Sequence, residues 1–404
     1  MQIVTIETFR SAAHANILFV QLRTNLGLVG LGESFFGPRA VEAYIHETAA
    51  PVLLKMADAN PEAAAAALAP YLGYQGAGAE TRGNAAIDLA LWDLAAKAAG
   101  VPLARLLGGP VRTSIPVYNT CAGSNYVRTT TRQSSDNWGL SGNSSVRGKY
   151  EDLEGFLTRP KALAQELMDE GFRGMKVWPF DRAAERTLGN EISRKELLQG
   201  LRIVEDIRST IGLDMDLMIE MHGLWNRPTA THIINSLEEF QPFWVEDPLR
   251  ADATDALIKL ADDVDVQIAL GETAVGRRGV LPLLQAGVID VLTLDLQWTG
   301  GITEARKVAA VADTFAVPIA PHDCTGPATL AACVHLACAS PNSLIQEVVR
   351  AFIHTWYSDV VTGLPEIRDG SIILSESAGH GVELTSDFVD TASVQTSARH
   401  QDMT

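Results

Sequence analysis

The feature that most constrains the fold of this chain is a regular alternation of short apolar runs with amphipathic stretches, beginning near residue 115. The runs have the length of buried parallel strands, and stretches such as Ser193–Ile211 and Ile302–Phe315 have helical periodicity. We predict eight strands, the last six starting 24 to 27 residues apart. They are Ile115–Asn119, Gly174–Trp178, Leu217–His222, Phe243–Glu246, Gln267–Glu272, Val291–Asp295, Pro318–His322 and Leu344–Glu347. Repeated βα units favour a closed parallel barrel, although the pattern alone also allows an open sheet.

Three of these runs end in a glutamate, and Glu220, Glu246 and Glu272 are a uniform 26 residues apart. The C-terminal ends of barrel strands meet at one rim, where such folds place their chemistry. Three carboxylates there would repel each other unless a cation lay between them, and Mg²⁺ prefers oxygen ligands. A single glutamate would more simply cap a helix or pair with a lysine. Three in register predict a metal site.

Other titratable residues fall at the same depth in the predicted strands. They are Lys176, His222, Asp295, His322 and Glu347. In a strand, His222 would face the same side as Glu220, and Lys176 inside an apolar run needs an anionic partner. Asp295 and His322 end neighbouring strands, so the carboxylate could orient the imidazole and raise its basicity. The set suits removal of a proton next to a carboxylate, with His322 as the candidate base.

Composition excludes several classes of partner. A net charge of −17 argues against nucleic acid and anionic membranes, and no apolar run approaches the length of a membrane span. Gln2, Glu7 and Arg10 interrupt the first apolar stretch, which argues against a signal peptide. The four cysteines lack zinc-ligand spacing, which indicates reduced thiols. We therefore expect a cytoplasmic enzyme with a small-molecule substrate.

The alternation of strands and helices also predicts how the chain is divided into domains. Residues 1–112 contain a few strands followed by helices, which predicts an α+β unit before a barrel at 113–351. The polar connection 120–151 leaves a strand's C-terminal end and is predicted to be a lid, with disorder as the alternative. We expect at least one of its arginines, Arg128, Arg132 or Arg147, to reach the substrate. Residues 352–404 lose the rhythm, and their Ser/Thr-rich end is expected to fray.

Short motifs spread along nearly the whole chain give it a family resemblance. They are Gly32-Glu33, Ala86-Ile87-Asp88, Trp92-Asp93, Lys97, Leu107-Gly108-Gly109, Trp244-Val245-Glu246-Asp247-Pro248, Gly271-Glu272, Asp295 with Gly300-Gly301-Ile302-Thr303, and Ala320-Pro321-His322. Together they resemble the enolase superfamily, in its mandelate racemase/muconate lactonizing enzyme branch. The resemblance implies an α/β fold with a modified TIM barrel, (β/α)₇β, under an α+β cap to which residues 352–404 return. It also implies Mg²⁺ on the three glutamates and a dyad of Asp295 and His322, and we expect a homo-oligomer.

One departure from the family pattern is informative. Racemases of this branch usually carry Lys-x-Lys on the second barrel strand, whereas this chain has Lys176-Val177-Trp178 and lacks the second base. His222, two residues past the first metal ligand, is similar to the general acid of the superfamily's galactonate and mannonate dehydratases. Those relatives commonly have Asp as the first ligand, where this chain has Glu220.

The leading hypothesis is therefore a Mg²⁺-dependent dehydratase, a carbon–oxygen lyase, acting on an aldonate-type sugar acid. His322, polarised by Asp295, would remove the proton at carbon 2, and His222 would protonate the departing hydroxyl at carbon 3. Lys176 and Glu347 would stabilise the enediolate, and the product would be a 2-keto-3-deoxy acid. The alternative is an isomerase, either a cycloisomerase or an epimerase/racemase, that uses the same intermediate. A metal-binding scaffold without turnover would not need a base beside the metal.

Overall fold

The computed structural model describes residues 1–69, 78–140 and 149–399. The strands in these ranges are β1 (Ile3–Ser11), β2 (His14–Thr24), β3 (Val29–Phe35), β4 (Ser114–Thr120), β5 (Gly174–Val177), β6 (Asp216–Glu220), β7 (Trp244–Glu246), β8 (Ile268–Leu270), β9 (Val291–Leu292), β10 (Gln346–Val348), β11 (Val361–Thr362), β12 (Ile367–Arg368), β13 (Ser371–Ile373), β14 (Glu383–Leu384) and β15 (Ser393–Ala398).

The α-helices are α1 (Pro38–Tyr44), α2 (Ala50–Leu53), α3 (Pro61–Ala67), α4 (Ala79–Ala99), α5 (Leu103–Leu106), α6 (Asp152–Thr158), α7 (Pro160–Asp169), α8 (Asp181–Thr187), α9 (Arg194–Ile211), α10 (Arg227–Leu237), α11 (Thr254–Asp263), α12 (Gly276–Ala286), α13 (Leu296–Thr299), α14 (Ile302–Thr314), α15 (Pro327–Ala339), α16 (Arg350–Thr355), α17 (Tyr357–Val360) and α18 (Ser386–Thr391). A π-helical turn covers Ile45–Ala49, and 3₁₀ turns cover Ser135–Asn137 and Glu238–Phe240.

An antiparallel sheet contains both ends of the described chain, in the order β15-β1-β2-β3. Helix α4 packs closely on β3 because two glycines leave room for its backbone. A Cβ atom at Gly30 would lie 2.2 Å from the Ala90 carbonyl oxygen, and one at Gly32 would lie 1.9 Å from that of Ala86. The expectation of a frayed C-terminal end is wrong for β15, which pairs with β1 along Thr5–Arg10. Residues 400–404 lie outside the described ranges.

The second sheet makes the fold a mixed α/β structure. Strands β4 to β9 lie side by side and parallel in chain order, and β10 pairs in parallel with the other edge of β4. Isolated parallel bridges join Leu292 to Ile319 and Ile319 to Ser343. A buried apolar cluster lies within this sheet and draws on several strands. Its members are Tyr118, Met218, Trp244, Ala269, Val291, Ala320 and Ile345.

The observed strands are mostly shorter than the predicted ones. The predicted strand Val291–Asp295 is reduced to two residues, and Pro318–His322 is reduced to the single bridged residue Ile319. Pro318 and Pro321 have no N–H group to donate to a ladder, which explains why regular pairing fails there. The predicted helix Ser193–Ile211 is observed as α9, with Ser193 and Glu196 forming a reciprocal cap at its start.

Two buried carboxylates from the N-terminal part hold it against the parallel-sheet part. Glu33 on β3 accepts a hydrogen bond from the Ala328 N–H at the start of α15, at 3.0 Å. Asp88 on α4 accepts one from the Thr303 N–H at the start of α14, at 2.8 Å. A helix start has free N–H groups and a partial positive charge, so it is a favourable place for a buried acid. These contacts hold α4 and β3 against the starts of α14 and α15.

Within the described ranges, no helix combines the length and apolar character needed to cross a membrane. Within the same ranges, Cys121, Cys324, Cys333 and Cys338 form no disulfide.

Candidate active site

The three predicted metal ligands come together at one edge of the parallel sheet. Glu220 ends β6, Glu246 ends β7 directly opposite it, and Glu272 follows the end of β8 by two residues. Ligand oxygens of the three carboxylates lie within 4.8 Å of one another, and all three side chains are buried. Burial together with the neighbouring carboxylates raises the pKa of Glu246 to about 8. Such a set of crowded oxygen donors fits a hard divalent cation such as Mg²⁺.

Lys176 lies in the middle of the buried acids. Its ammonium contacts Glu246 Oε1 at 2.8 Å, Glu347 Oε1 at 2.9 Å and Glu220 Oε2 at 3.2 Å. The expectation that this buried cation needs an anionic partner is confirmed. Glu347, which belongs to β10, also accepts a hydrogen bond from the Asp323 N–H at 2.9 Å and one from the Thr120 hydroxyl. Lys176 and Glu347 therefore hold each other in one fixed arrangement.

His322 and Asp295 form the predicted pair. His322 Nδ1 lies 2.8 Å from Asp295 Oδ2, and Nε2 lies 3.2 Å from Glu272 Oε2. Asp295 is fully buried, and its other oxygen accepts the N–H groups of Gln297 and Trp298 at the start of α13. Burial lowers the pKa of His322, but the charges of Glu272 and Glu347 more than offset this and raise it well above its ordinary value.

His222 reaches the site by a different route from the one predicted. The strand β6 ends at Glu220, so the prediction that His222 continues the strand is wrong. Its φ is +50°, and its own N–H donates to Glu220 Oε1 at 2.7 Å, which turns the chain at this point. The ring still lines the cavity beside the three glutamates, which is described below. Its Nδ1 lies 2.7 Å from Asp181 Oδ2. Burial lowers the pKa of His222, but Asp181 and Glu220 raise it to about 10.

Asp181, the partner of His222, escaped the sequence analysis. It begins α8, four residues after the end of β5 at Val177, and so lies at the same rim as the other acids. Burial raises its pKa, and among the described residues its Oδ1 has no hydrogen-bond partner. An acid placed soon after a predicted strand was the available signal. Its contact with a histidine 41 positions away was not visible in any local pattern.

The two histidines, Lys176 and Glu347 open onto one cavity of about 630 Å³. Five aromatic residues also line it, Phe36, Tyr126, Trp138, Trp178 and Trp298. Part of the predicted lid, residues 133–135, also lines it, and Ser135 of this stretch is hydrogen-bonded to Glu185 on α8. The cavity is large enough for a sugar-sized molecule.

Neither of the two described lid arginines lines the cavity. Arg128 stacks over Trp356 at 4.7 Å and donates to the Ser124 carbonyl, away from the cavity lining. Arg132 pairs with Asp136 at 3.4 Å and is largely exposed. Arg147 lies outside the described residues. The arginine in the described wall is Arg82, which comes from the start of α4.

Comparison with known families agrees with this geometry. Residues 159–388 match the family described as enolase C-terminal domain-like. The chain belongs to the enolase superfamily. Residues 4–108 match the mandelate racemase / muconate lactonizing enzyme N-terminal domain, which places the chain in that branch. The resemblance inferred from the motifs is confirmed.

Several relatives align with about three quarters of the chain or more. It is 30% identical to a D-galactonate dehydratase of Xanthomonas oryzae pv. oryzae (strain PXO99A) over 400 residues, covering 97% of this chain and 94% of that one. A D-gluconate dehydratase of Thermoproteus tenax is 29% identical over 297 residues, covering 74% and 53%. An enolase of the mandelate racemase subgroup from Agrobacterium tumefaciens superposes with a TM-score of 0.85 at 39% identity, covering 98% and 99%. Dehydratases are hydro-lyases, so the predicted enzyme class, a carbon–oxygen lyase of this superfamily, is confirmed.

Proposed function

We propose that this protein is a Mg²⁺-dependent sugar-acid dehydratase, which removes the proton at carbon 2 and eliminates the hydroxyl at carbon 3 of an aldonate-type substrate. One observation carries the proposal: the histidines of two His–Asp pairs face one cavity from the two ends of a row of three glutamates. His222 follows Glu220 at one end, and His322 contacts Glu272 at the other. Elimination needs a base and an acid on two different substrate atoms, and this arrangement offers both.

The proposal includes the architecture that holds these groups. We propose that the parallel sheet closes into a (β/α)₇β barrel, which the pairing of β10 with β4 and the two bridges of Ile319 support. The barrel would occupy residues 113–351, with the 120–151 connection as a lid. Residues 1–112 would form the cap, and residues 352–404 would return to it.

Glu220, Glu246 and Glu272 would hold the Mg²⁺ ion. When bound, the ion would polarise the substrate carboxylate and offset the negative charge that develops on it. Lys176, in contact with Glu220 and Glu246, would donate hydrogen bonds to the same developing charge. Glu347 would act through Lys176, because its contact at 2.9 Å keeps the ammonium in place.

His322 would remove the proton at carbon 2. Asp295 would accept a hydrogen bond from Nδ1–H, which leaves Nε2 as the atom that takes the substrate proton. Asp295 itself is held by two backbone N–H groups, so the ring has a fixed orientation. The buried carboxylate also stabilises the imidazolium that forms.

His222 would protonate the hydroxyl that leaves carbon 3. Asp181 binds Nδ1, which directs the proton on Nε2 towards the cavity. Loss of water from the enediolate gives an enol, and the enol tautomerises to a 2-keto-3-deoxy acid. Without a proton donor at this position the hydroxyl would depart as hydroxide, which is a poor leaving group near neutral pH.

The same two histidines support a second candidate function. If His222 returned a proton to carbon instead of oxygen, the reaction would be an isomerisation, either an epimerisation or a cycloisomerisation. The absence of a second lysine in Lys176-Val177-Trp178 disfavours the lysine-based racemisation of this branch but not a histidine-based one.

A screen of sugar acids in D₂O with Mg²⁺ separates these functions. Dehydration produces a 2-keto-3-deoxy acid, whereas isomerisation places deuterium at carbon 2 of a molecule with unchanged formula. We expect keto-acid formation, and we expect excess chelator to abolish it. Deuterium exchange without any keto acid would favour the isomerase, and full activity in chelator would contradict the metal-dependent mechanism.

A further inference from the structure

Arg82 differs from Lys176, the other cationic residue of the cavity wall, in having no carboxylate within ion-pair distance among residues 1–69, 78–140 and 149–399. The charges of Asp295 and Glu80 act on its guanidinium only from farther away. Its Nε atom is buried and has no hydrogen-bond partner among these residues. One terminal nitrogen makes a long hydrogen bond of 3.4 Å to the Phe36 carbonyl. Lys176, by contrast, contacts three carboxylates.

Arg350, a fully buried arginine, has several anionic partners. Arg350 contacts Asp152 at 2.7 Å, Glu170 at 2.9 Å and Glu166 at 3.3 Å. Leaving a guanidinium partly desolvated without such contacts is costly, and burial lowers the pKa of Arg82. An anion arriving from solution would supply the missing partner.

Arg82 also lies at a defined place relative to the proposed base. Its guanidinium is 6.0 Å from the Phe36 ring, Phe36 stacks on Trp298 at 6.0 Å, and Trp298 is 5.2 Å from the His322 ring. The indole N–H of Trp298 is buried and has no partner among the described residues. Two unused donors thus belong to the same cavity wall as His322. With carbon 1 at the glutamates, carbon 2 at His322 and carbon 3 at His222, the remaining carbons of a sugar acid would lie against the rest of this wall, which includes Arg82 and Trp298.

We propose that Arg82, assisted by the Trp298 N–H, binds a second anionic group at the far end of the substrate, so that the preferred sugar acid is charged at both ends. This inference rests on the proposed dehydration at the same site. The anionic end is a carboxylate or a phosphate ester, since the planar guanidinium binds either with two parallel hydrogen bonds. In a protein of net charge −17, a dianion needs such a local positive charge.

The test compares three six-carbon acids that are identical from carbon 1 to carbon 5. They end in a hydroxymethyl group, a carboxylate or a phosphate ester at carbon 6. In the wild-type enzyme, one of the two anionic substrates should have the higher kcat/KM by about 10- to 100-fold, as expected for a charge-assisted hydrogen bond. In Arg82→Gln the ratio of anionic to neutral-ended substrate should fall close to one. Arg82→Lys, which keeps the charge but not the planar fork, should have an intermediate ratio.

Arg105→Gln is the matched control, because Arg105 is exposed on α5 and does not line the cavity. It should leave the substrate ratio and both rates unchanged. Melting temperatures of the variants distinguish a changed site from a changed fold. An unaltered ratio in a folded Arg82→Gln protein, or a wild-type preference for the neutral-ended acid, would overturn the inference.

A binding measurement separates failure of this inference from failure of the proposed function. Adipate and hexanoate differ only in the second carboxylate, and neither can be dehydrated. With Mg²⁺ present, adipate should bind the wild-type protein more tightly than hexanoate, and Arg82→Gln should remove that difference. If no sugar acid is dehydrated, the proposed function fails, while equal binding of adipate by both proteins would by itself refute the role of Arg82.

Discussion

The two His–Asp pairs of the cavity have similar distances but different surroundings. The Nδ1–Oδ2 distances are 2.8 Å for His322–Asp295 and 2.7 Å for His222–Asp181. The His322 side chain is 7% exposed and its aspartate has two backbone donors. The His222 side chain is 32% exposed, and one oxygen of its aspartate has no partner among the described residues. The His322–Asp295 pair is therefore held by the backbone around it, whereas the His222–Asp181 pair is held mainly by the contact between its own two side chains.

This difference suits the two proposed tasks. Removing a proton from carbon requires a base in one orientation, because the substrate C–H bond has one direction and the acid is very weak. Protonating a departing hydroxyl tolerates more variation, since the oxygen has several lone-pair directions. The more rigid pair, His322 and Asp295, therefore suits proton removal from carbon, which is the more demanding step. Replacing each member in turn tests whether the division of labour holds.

Replacing the histidines themselves should give the largest loss of activity and the clearest difference between the two pairs. His322→Asn should lose dehydration and deuterium exchange at carbon 2 alike, each by about 10²- to 10⁴-fold, because the base serves both. His222→Asn should lose dehydration to a similar extent and retain exchange, because the proton can still leave carbon. The measurement is product formation and proton NMR of recovered substrate in D₂O.

Two outcomes would change this assignment. Loss of exchange in both variants would mean that His222 also serves proton removal, as in an isomerase. Retained exchange in His322→Asn alone would mean that the two roles are reversed.

Replacing the two aspartates should give smaller losses in kcat, and the losses should differ between the two variants. Asp295→Asn leaves the ring in place but favours the wrong tautomer, so we expect a loss in kcat of about 10²-fold or more. Asp181→Asn should cost about 10-fold, because His222 is more exposed and water can replace part of the lost contact. Both should act on kcat more than on KM, which steady-state kinetics would show. Equal losses would mean that the Asp181 contact is as important as the Asp295 contact.

The contrast between the pairs also explains what could be predicted from the sequence. The three glutamates and the pair of Asp295 and His322 follow from the period of the βα units, because strand ends at one rim are neighbours. His222 was assigned to the site for the wrong geometric reason, since β6 stops at Glu220 and the chain turns there. Asp181 was missed because it meets His222 only through the fold.

Other features were not predicted from the sequence because they also depend on contacts between distant segments. Arg82 enters the cavity from α4, so its role depends on how the N-terminal part sits on the sheet. The Ser/Thr-rich composition near the C-terminus hid β15, because an exposed edge strand needs no apolar alternation to pair with β1. Local pattern thus predicted the elements of the parallel sheet and the convergence of the three glutamates. It did not predict contacts between segments distant in the chain.

The smallest expected effect concerns a histidine that forms no ion pair with a carboxylate in the part of the chain that the structure describes. His335 on α15 is 1% exposed, its Nδ1 accepts the Ala104 N–H at 3.1 Å, and burial lowers its pKa to about 4. Its ordinary pKa in the unfolded chain is about 6.5. Between these values the unfolded state binds more protons than the folded state. Stability is therefore fully present above pH 6.5 and falls as the pH drops towards 4, by up to about 1.4 kcal/mol per pH unit.

His335→Asn sharpens the contrast with the paired histidines, because the amide oxygen can still accept the Ala104 N–H but the side chain does not titrate. We expect the variant to be less stable than the wild type at pH 8, because the smaller side chain leaves space in the core. Its urea midpoint should nevertheless change less than that of the wild type between pH 6.5 and 4.5. Unfolding followed by circular dichroism at several pH values measures both. Parallel pH profiles for the two proteins would show that His335 is not a source of acid sensitivity, and that burial without a carboxylate does not depress its pKa as argued.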